Sequence, residues 1–184
     1  MSYWDLEFQF CRKIIIFGES NVGKTCFAKR CEQDVFAENP KKTIGVNLWG
    51  KRIEVHNIIY TLYFWDFSGE HKFRTMLKMY LKGIDAGIFM FDLSNLRSLL
   101  CFDYWMKFIK ENRDSLFPII ILGTKNDIVK DEISNKAKQL CKERGIQHYL
   151  ECSSMTGNNI SEVFRVLKKL IGVNNNNNSY DKLN

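Results

Sequence analysis

The chain lacks the features that would place it in a membrane, in a secretory pathway or around a zinc ion. No apolar run approaches the roughly 18 residues that a membrane-spanning helix requires. The first residues show no basic stretch followed by an apolar core, so no secretory signal is expected. None of the six cysteines belongs to a C-x-x-C pair. That pattern argues against zinc and favours reduced, buried thiols in a cytosolic protein.

Lipid-anchor signals and a concentrated basic surface are also missing. There is no cysteine near the C-terminus and no glycine after Met1, so neither prenylation nor N-myristoylation is expected. The net charge is +6, but the densest basic clusters are only pairs, Lys41-Lys42 and Lys168-Lys169. Charge spread in this way predicts a solvated surface that suits an anionic nucleotide, not a nucleic-acid partner.

Short apolar runs alternate with segments of helical spacing along the chain. Apolar runs typical of strands covered on both faces are found at 11–17, 86–92 and 118–123, and a short strand is expected at 147–151. Two further strand-like segments, 46–55 and 58–66, predict a hairpin. Helices are expected at 24–32, 73–82, 99–109, 133–141 and 160–171. The alternation predicts an α/β fold with a mostly parallel, six-stranded, doubly wound sheet and helices on both faces.

The most specific motif is Gly18-Glu19-Ser20-Asn21-Val22-Gly23-Lys24-Thr25, which fits the phosphate-binding P-loop pattern G-x-x-x-x-G-K-[ST]. It follows a predicted strand and precedes a predicted helix, which is the context that the motif requires. Backbone N–H groups and the helix N-terminus would bind phosphates. Lys24 would reach the β- and γ-phosphates, and the Thr25 hydroxyl suits Mg²⁺. The expected phosphate-binding residues are Gly18, Ser20, Asn21, Val22, Gly23, Lys24, Thr25 and Cys26.

Two segments further along could complete a site for a terminal phosphate. Asp66 ends a predicted strand, and its carboxylate could hold Mg²⁺ through water. Gly69 could bring its backbone N–H close to a γ-phosphate. The Thr43 hydroxyl could complete the Mg²⁺ coordination when that phosphate is present. Taken alone, the D-x-x-G pattern at 66–69 is typical of a turn, and Thr43 is typical of a loop.

A third group of residues predicts the base that is bound. Asp127 could accept hydrogen bonds from the N1–H and 2-amino groups of guanine, which adenine lacks. Thr124 and Lys125 precede it, and the aliphatic stem of Lys125 could lie along the base. Backbone N–H groups of Ser153 and Ser154 could meet the guanine O6.

With these motifs the chain resembles the Ras-superfamily small GTPases, in particular their Rab branch. The resemblance covers roughly residues 11–172 and is carried by GESNVGKT at 18–25, TIGVN at 43–47, WDFSG at 65–69, GTKND at 123–127 and ECSS at 151–154. It implies the small G domain, a P-loop NTPase fold, at 1–173 with an N-terminal arm at 1–10. The Asn-rich segment 174–184 is expected to be a disordered tail.

The resemblance also implies an activity and partners. Members alternate between GTP and GDP states, because the γ-phosphate and Mg²⁺ order two switch segments. Here Thr43 would be the switch I threonine, and residues 66–80 would form switch II. Effector, exchange-factor and activating proteins would contact 38–47 and 67–80 of a monomer. The protein would be cytoplasmic, with recruitment to membranes through partners as an option.

Several positions differ from the family pattern or take a role only by resemblance. Phe36 would lie edge-on to the guanine, and Met155 replaces the usual residue after the last motif. Glu70 stands where the family has a water-positioning glutamine. A carboxylate cannot donate a hydrogen bond as an amide does, so slow intrinsic hydrolysis is expected, with Lys24, Gly69 and Glu70 as the catalytic residues. Pro40 stands near a position where an aromatic often covers the nucleotide, which predicts faster exchange.

Three functions remain open at this point. The first is a Mg²⁺-dependent GTP/GDP switch with slow GTP hydrolysis, acting in signalling or trafficking. The second is a GTP-dependent interaction module that does not hydrolyse GTP. The third, a P-loop ATPase or nucleotide kinase, is disfavoured because Lys125 and Asp127 point to guanine.

Overall fold

A computed structural model describes residues 10–38, 40–55, 58–113, 115–128 and 131–173. Its six strands form one sheet in the order β2-β3-β1-β4-β5-β6, and only the pairing of β2 with β3 is antiparallel. This arrangement confirms the predicted fold class. The strands are β1 (Phe10–Phe17), β2 (Val46–Val55), β3 (Ile58–Phe67), β4 (Ala86–Asp92), β5 (Ile119–Thr124) and β6 (His148–Glu151).

The α-helices of the described chain are α1 (Lys24–Gln33), α2 (Arg74–Leu77), α3 (Leu96–Leu100), α4 (Phe102–Glu111), α5 (Asp131–Arg144) and α6 (Ile160–Val173). The segment expected as one helix over 73–82 is shorter and less regular. Its α-helical part is the single turn of α2, which lies between 3₁₀ turns at His71–Phe73 and Lys78–Tyr80.

Each face of the sheet is covered, which explains why the central strands are apolar on both sides. On one face, alternate residues of β1 such as Ile14 and Ile16 pack with α1 and α6. On the other face, Ile15 and Phe17 pack with α4 and α5. Every residue of β4 is buried. Successive side chains of a strand point to opposite faces, so a strand buried on both faces has no polar alternation.

The parallel strands bring the predicted motifs to one edge of the sheet. The loop 18–23 follows β1, residues 68–70 follow β3, Lys125 follows β5, and Cys152 follows β6. The carboxyl edge of a doubly wound sheet is where ligands bind in this architecture. Among the described residues no helix is both long enough and apolar enough to cross a membrane. Residues 1–9 of the expected arm and the expected tail at 174–184 lie outside the described residues.

Candidate functional site

A cleft of about 370 Å³ opens at the carboxyl edge of the sheet. It is lined by most of the residues that the sequence predicts for the site, which are Ser20, Asn21, Gly23, Lys24, Thr25, Cys26, Phe36, Thr43, Gly69, Glu70, Thr124, Lys125, Asp127, Ser153, Ser154 and Met155. Three predicted residues, Gly18, Val22 and Asp66, lie behind this lining. The chain therefore brings its separate motifs into one concave surface.

The P-loop is held in a shape that only glycine tolerates at Gly18. Its φ is 140°, and a Cβ added there would lie 2.1 Å from the backbone oxygen of Met90. The Lys24 ammonium donates to the carbonyl oxygens of Gly18, at 2.9 Å, and Glu19, at 2.6 Å. Burial lowers the pKa of Lys24 to about 8, and the nearby Asp66 carboxylate opposes that shift. Lys24 is thus a buried cation that loop carbonyls fix at the floor of the cleft.

The start of α1 presents further donors to the cleft. Gly23 is the N-cap, and no side chain caps the helix within the described structure. The first N–H groups of a helix have no partner inside the helix, so they remain for an anion. The Val22 side chain is buried, and its carbonyl oxygen accepts from the Thr124 hydroxyl at 2.5 Å, so that only its backbone N–H could serve the predicted phosphate site.

The three predicted metal ligands converge in the structure. The hydroxyl oxygens of Thr25 and Thr43 lie 2.9 Å apart, and Asp66 Oδ2 accepts from them at 3.1 Å and 3.3 Å. Asp66 is fully buried, and its Oδ1 has no hydrogen-bond partner among the described residues. Burial raises the pKa of Asp66 to about 6, against the opposing effect of Lys24. Two hydroxyls and a carboxylate with an unsatisfied buried oxygen fit a hard divalent cation such as Mg²⁺.

Around the other end of the cleft, Thr124, Lys125 and Asp127 lie where β5 ends. Asp127 is exposed in the 3₁₀ turn Asn126–Ile128, and it lines the cleft. Lys125 has a φ of 60° and forms an ion pair with the buried Asp92. Asp92 was not predicted as part of the site, although it stands at the end of β4. The pair restricts the Lys125 side chain along the cleft wall.

The turn after β6 closes the same end of the cleft. Ser153 and Ser154 are buried, whereas 61% of Met155 is exposed. Backbone hydrogen bonds fix this turn, because Cys152 N–H donates to Gly123 O at 2.8 Å and Ser153 N–H donates to Asn158 O at 3.1 Å. The Ser153 side chain accepts from Thr156 N–H at 3.1 Å. The first of these bonds ties the turn to the end of β5.

The cleft wall also contains residues that the sequence motifs do not predict, namely Glu38, Lys41, Lys42 and Ser68, and it includes Pro40 near the nucleotide position as expected. The basic pair just before Thr43 was a signal that could have found two of them.

Glu70 lies at the cleft with a carboxylate that already has a partner. Its Oε2 is 2.8 Å from the Lys72 ammonium, and its backbone N–H donates to Ser68 Oγ at 3.3 Å. The hydrogen bond from Lys72 holds the pKa of Glu70 below its usual range. Residue 70 is therefore an ionised carboxylate paired with a neighbouring cation.

Comparison with known proteins places this geometry in a family. The Ras family model matches residues 13–172. The chain is 28% identical to Ras-related protein Rab-19 of Xenopus laevis over 90% of this chain and 78% of that protein. It is 29% identical to Ras-related protein Rab-30 of Homo sapiens, over 89% and 80% respectively. It is 32% identical to the Ypt/Rab-type GTPase ypt7 of Schizosaccharomyces pombe, over 86% and 80%.

Proposed function

Because the chain belongs to the Ras family and is a Rab-like small GTPase, we propose that its cleft binds GTP and GDP and works as a slow molecular switch. One observation carries the proposal. A buried lysine, a cluster of two hydroxyls with a carboxylate, and an exposed aspartate at the end of β5 line or adjoin a single cleft. These are the groups needed for phosphates, for Mg²⁺ and for guanine, respectively.

In this proposal the phosphates lie on the P-loop N–H groups and on the α1 N-terminus, with Lys24 at the β- and γ-phosphates. Thr25, Thr43 and Asp66 would hold Mg²⁺, Asp66 through water, and the ion would neutralise charge on the phosphate oxygens. The Gly69 N–H binds the γ-phosphate. The reaction is attack by water on that phosphate, and the protein contributes positioning and charge stabilisation. Glu70 lies where water would be oriented, but it can only accept hydrogen bonds.

The base is recognised at the opposite end. Asp127 accepts from the guanine N1–H and 2-amino groups, and the backbone N–H of Ser154 meets O6. The N–H of Ser153, which the sequence also suggested for O6, already donates to Asn158 O. The stem of Lys125 and the Phe36 ring cover the base from its two sides. Met155 lies at the rim, and because more than half of it is exposed its contact with the base is weak.

The experiment that tests this function is identification of the nucleotide that the purified protein carries, followed by its turnover rate. The expected result is GDP or GTP, exchangeable on chelation of Mg²⁺, with hydrolysis measurable in a single turnover. Tighter binding of ATP than of GTP would contradict the proposal.

Glu70→Gln is expected to speed intrinsic GTP hydrolysis by about tenfold. A glutamine amide can both donate to and accept from the attacking water, and it removes a negative charge that repels the phosphates. The measurement is the single-turnover rate for GTP already bound. Glu132→Gln makes the same charge change on exposed α5 and should leave the rate as it is. A Glu70→Gln protein that hydrolyses GTP no faster than the native one would contradict the hypothesis that Glu70 slows hydrolysis.

A second candidate function is a GTP-dependent interaction module that hydrolyses GTP negligibly. The ion pair between Glu70 and Lys72 favours it, because the carboxylate is already engaged by a cation of its own segment. Single-turnover hydrolysis measured with and without cell extract separates the two functions. Acceleration by an extract supports a switch whose activating protein is missing in the pure sample, whereas no turnover in either condition supports the module.

Pro40→Tyr is expected to slow GDP release by about threefold to tenfold, the range that one added aromatic contact gives. Pro40 lines the cleft beside the nucleotide position, and its small ring covers less of a ligand than tyrosine would. Release of a fluorescent GDP analogue measures the effect. Leu100→Tyr adds the same ring on α3, away from the cleft, as a control. An unchanged release rate for Pro40→Tyr would count against faster exchange as the role of this position.

Partner proteins are proposed to bind residues 38–47 and 67–80. These segments border the cleft and carry large exposed apolar side chains, with Ile44 80% exposed and Met79 71% exposed. Exposed apolar groups beside a nucleotide site suit effector, exchange-factor and activating proteins that distinguish the GTP-bound from the GDP-bound state.

We propose that the protein is a cytoplasmic monomer that partner proteins recruit to membranes.

A further inference from the structure

Glu19, a variable position of the P-loop motif, contacts three other parts of the molecule. Its Oε1 accepts from the Arg74 guanidinium at 2.6 Å and from the Trp105 indole N–H at 3.2 Å. Its backbone oxygen accepts from the Lys24 ammonium at 2.6 Å. Glu19 therefore joins the phosphate-binding lysine to the first residue of α2 and to the middle of α4.

Arg74 is held more tightly than a surface cation. Only 8% of the residue is exposed, and its guanidinium lies 4.2 Å from the Tyr104 ring centre and 4.6 Å from that of Trp105. Arg74 Nε has no hydrogen-bond partner among the described residues. Glu19 is the carboxylate that the structure pairs with it. A buried cation that loses its ionic partner is strongly disfavoured, so the position of α2 depends on Glu19.

The backbone before α2 lies against the same residue. A Cβ added at Gly69 would come within 2.4 Å of the Glu19 carbonyl carbon. Glu70 thus stands between two points, Gly69 and Arg74, that both contact Glu19. With both ends of this six-residue stretch fixed on the P-loop, the path of residue 70 relative to the phosphates is fixed as well.

We propose that Glu19 and Arg74 are positioning residues, whose ion pair fixes α2 on the P-loop and so sets residue 70 at the γ-phosphate. The proposal rests on the proposed function for its catalytic consequence, but the coupling between the P-loop and α2 does not depend on it. Neither residue touches the reacting atoms, and both act through Glu70 and Gly69.

Glu19→Gln, Arg74→Met and the double variant test the pair. Each single change is expected to slow single-turnover GTP hydrolysis by about tenfold, because small misplacements of a catalytic group are costly. The double variant should be no slower than the worse single variant, since residues that act as one unit are not additive. Amide hydrogen exchange of residues 70–80 should rise in all three. Arg74→Lys keeps the charge and should recover part of the rate.

The control is an exposed arginine–carboxylate pair, Arg144 of α5 with Asp103 of α4, which forms hydrogen bonds of 2.7 Å and 2.9 Å. Arg144→Met and Asp103→Asn should change neither the rate nor the exchange. A purely structural role for Glu19 and Arg74 would lower the melting temperature with rate and exchange unchanged, and that result overturns the proposal. Multiplicative loss in the double variant also overturns it. If the native protein does not hydrolyse GTP, the proposed function fails. Amide hydrogen exchange of residues 70–80 still tests whether Glu19 and Arg74 couple the P-loop to α2.

Discussion

Asp127→Asn is expected to weaken GTP binding by about ten-thousandfold, the scale seen when a site built for specific hydrogen bonds meets a mismatch. The carboxylate can accept from both guanine donors at once, whereas an asparagine amide would point its N–H₂ group at one of them. The same change should admit xanthosine triphosphate, because xanthine presents an oxygen where guanine has its 2-amino group. The affinities of both nucleotides for the native and variant proteins measure the effect.

Asp131→Asn is the matched control, because it removes one exposed carboxylate at the start of α5, outside the cleft lining. It should leave both affinities unchanged. Equal GTP affinity in native protein and Asp127→Asn would show that the base does not lie at the end of β5. A gain in ATP affinity would show that Asp127 itself excludes adenine, because an asparagine N–H₂ can donate to adenine N1 and a carboxylate cannot.

The sequence predicts those site residues that lie at the end of a strand or within the few residues after it. Apolar runs predict β1 and β5, and a segment rich in β-branched and aromatic residues predicts β3. A parallel sheet places the ends of these strands at one edge. For that reason Lys24, Thr25, Asp66, Thr124 and Asp127 could be expected to meet. The meeting of the Thr25 and Thr43 hydroxyls on Asp66 is the clearest example, because these residues are 41 and 23 positions from Asp66.

The sequence does not predict contacts that depend on how a helix packs against the rest of the molecule. Arg74 and Glu19 are 55 positions apart, and Trp105 and Glu19 are 86 apart. No sequence periodicity or motif predicts these contacts, because they depend on how α2 and α4 pack on the sheet face that carries Ile15 and Phe17. Lys125 and Asp92 are likewise joined only because β4 and β5 are neighbours in the sheet. Glu38 and Lys41 belong to a loop without regular structure, whose path over the cleft no periodicity predicts.

Gly69→Ala is expected to reduce single-turnover GTP hydrolysis by about a hundredfold. The added Cβ would lie 2.3 Å from Ser20 N and 2.4 Å from the carbonyl carbon of Glu19. Both atoms belong to P-loop backbone, so no side-chain rotation relieves the overlap. The segment after β3 must move away from the loop, and the Gly69 N–H and Glu70 then leave the γ-phosphate together.

Gly69→Ala also distinguishes binding of the γ-phosphate from binding of the rest of the nucleotide. GDP affinity should be nearly unchanged, because Lys24 and Asp127 keep their contacts, whereas GTP should bind more weakly than in the native protein. Gly50→Ala in β2 is the control, since a Cβ there meets its nearest atom, the backbone oxygen of Leu62 in β3, at an ordinary 3.7 Å. Native-like hydrolysis by Gly69→Ala would contradict the close approach of residue 69 to the P-loop. Equal loss of GDP and GTP would show that the clash distorts the P-loop itself, because Gly69 has no direct contact with GDP in the proposed arrangement.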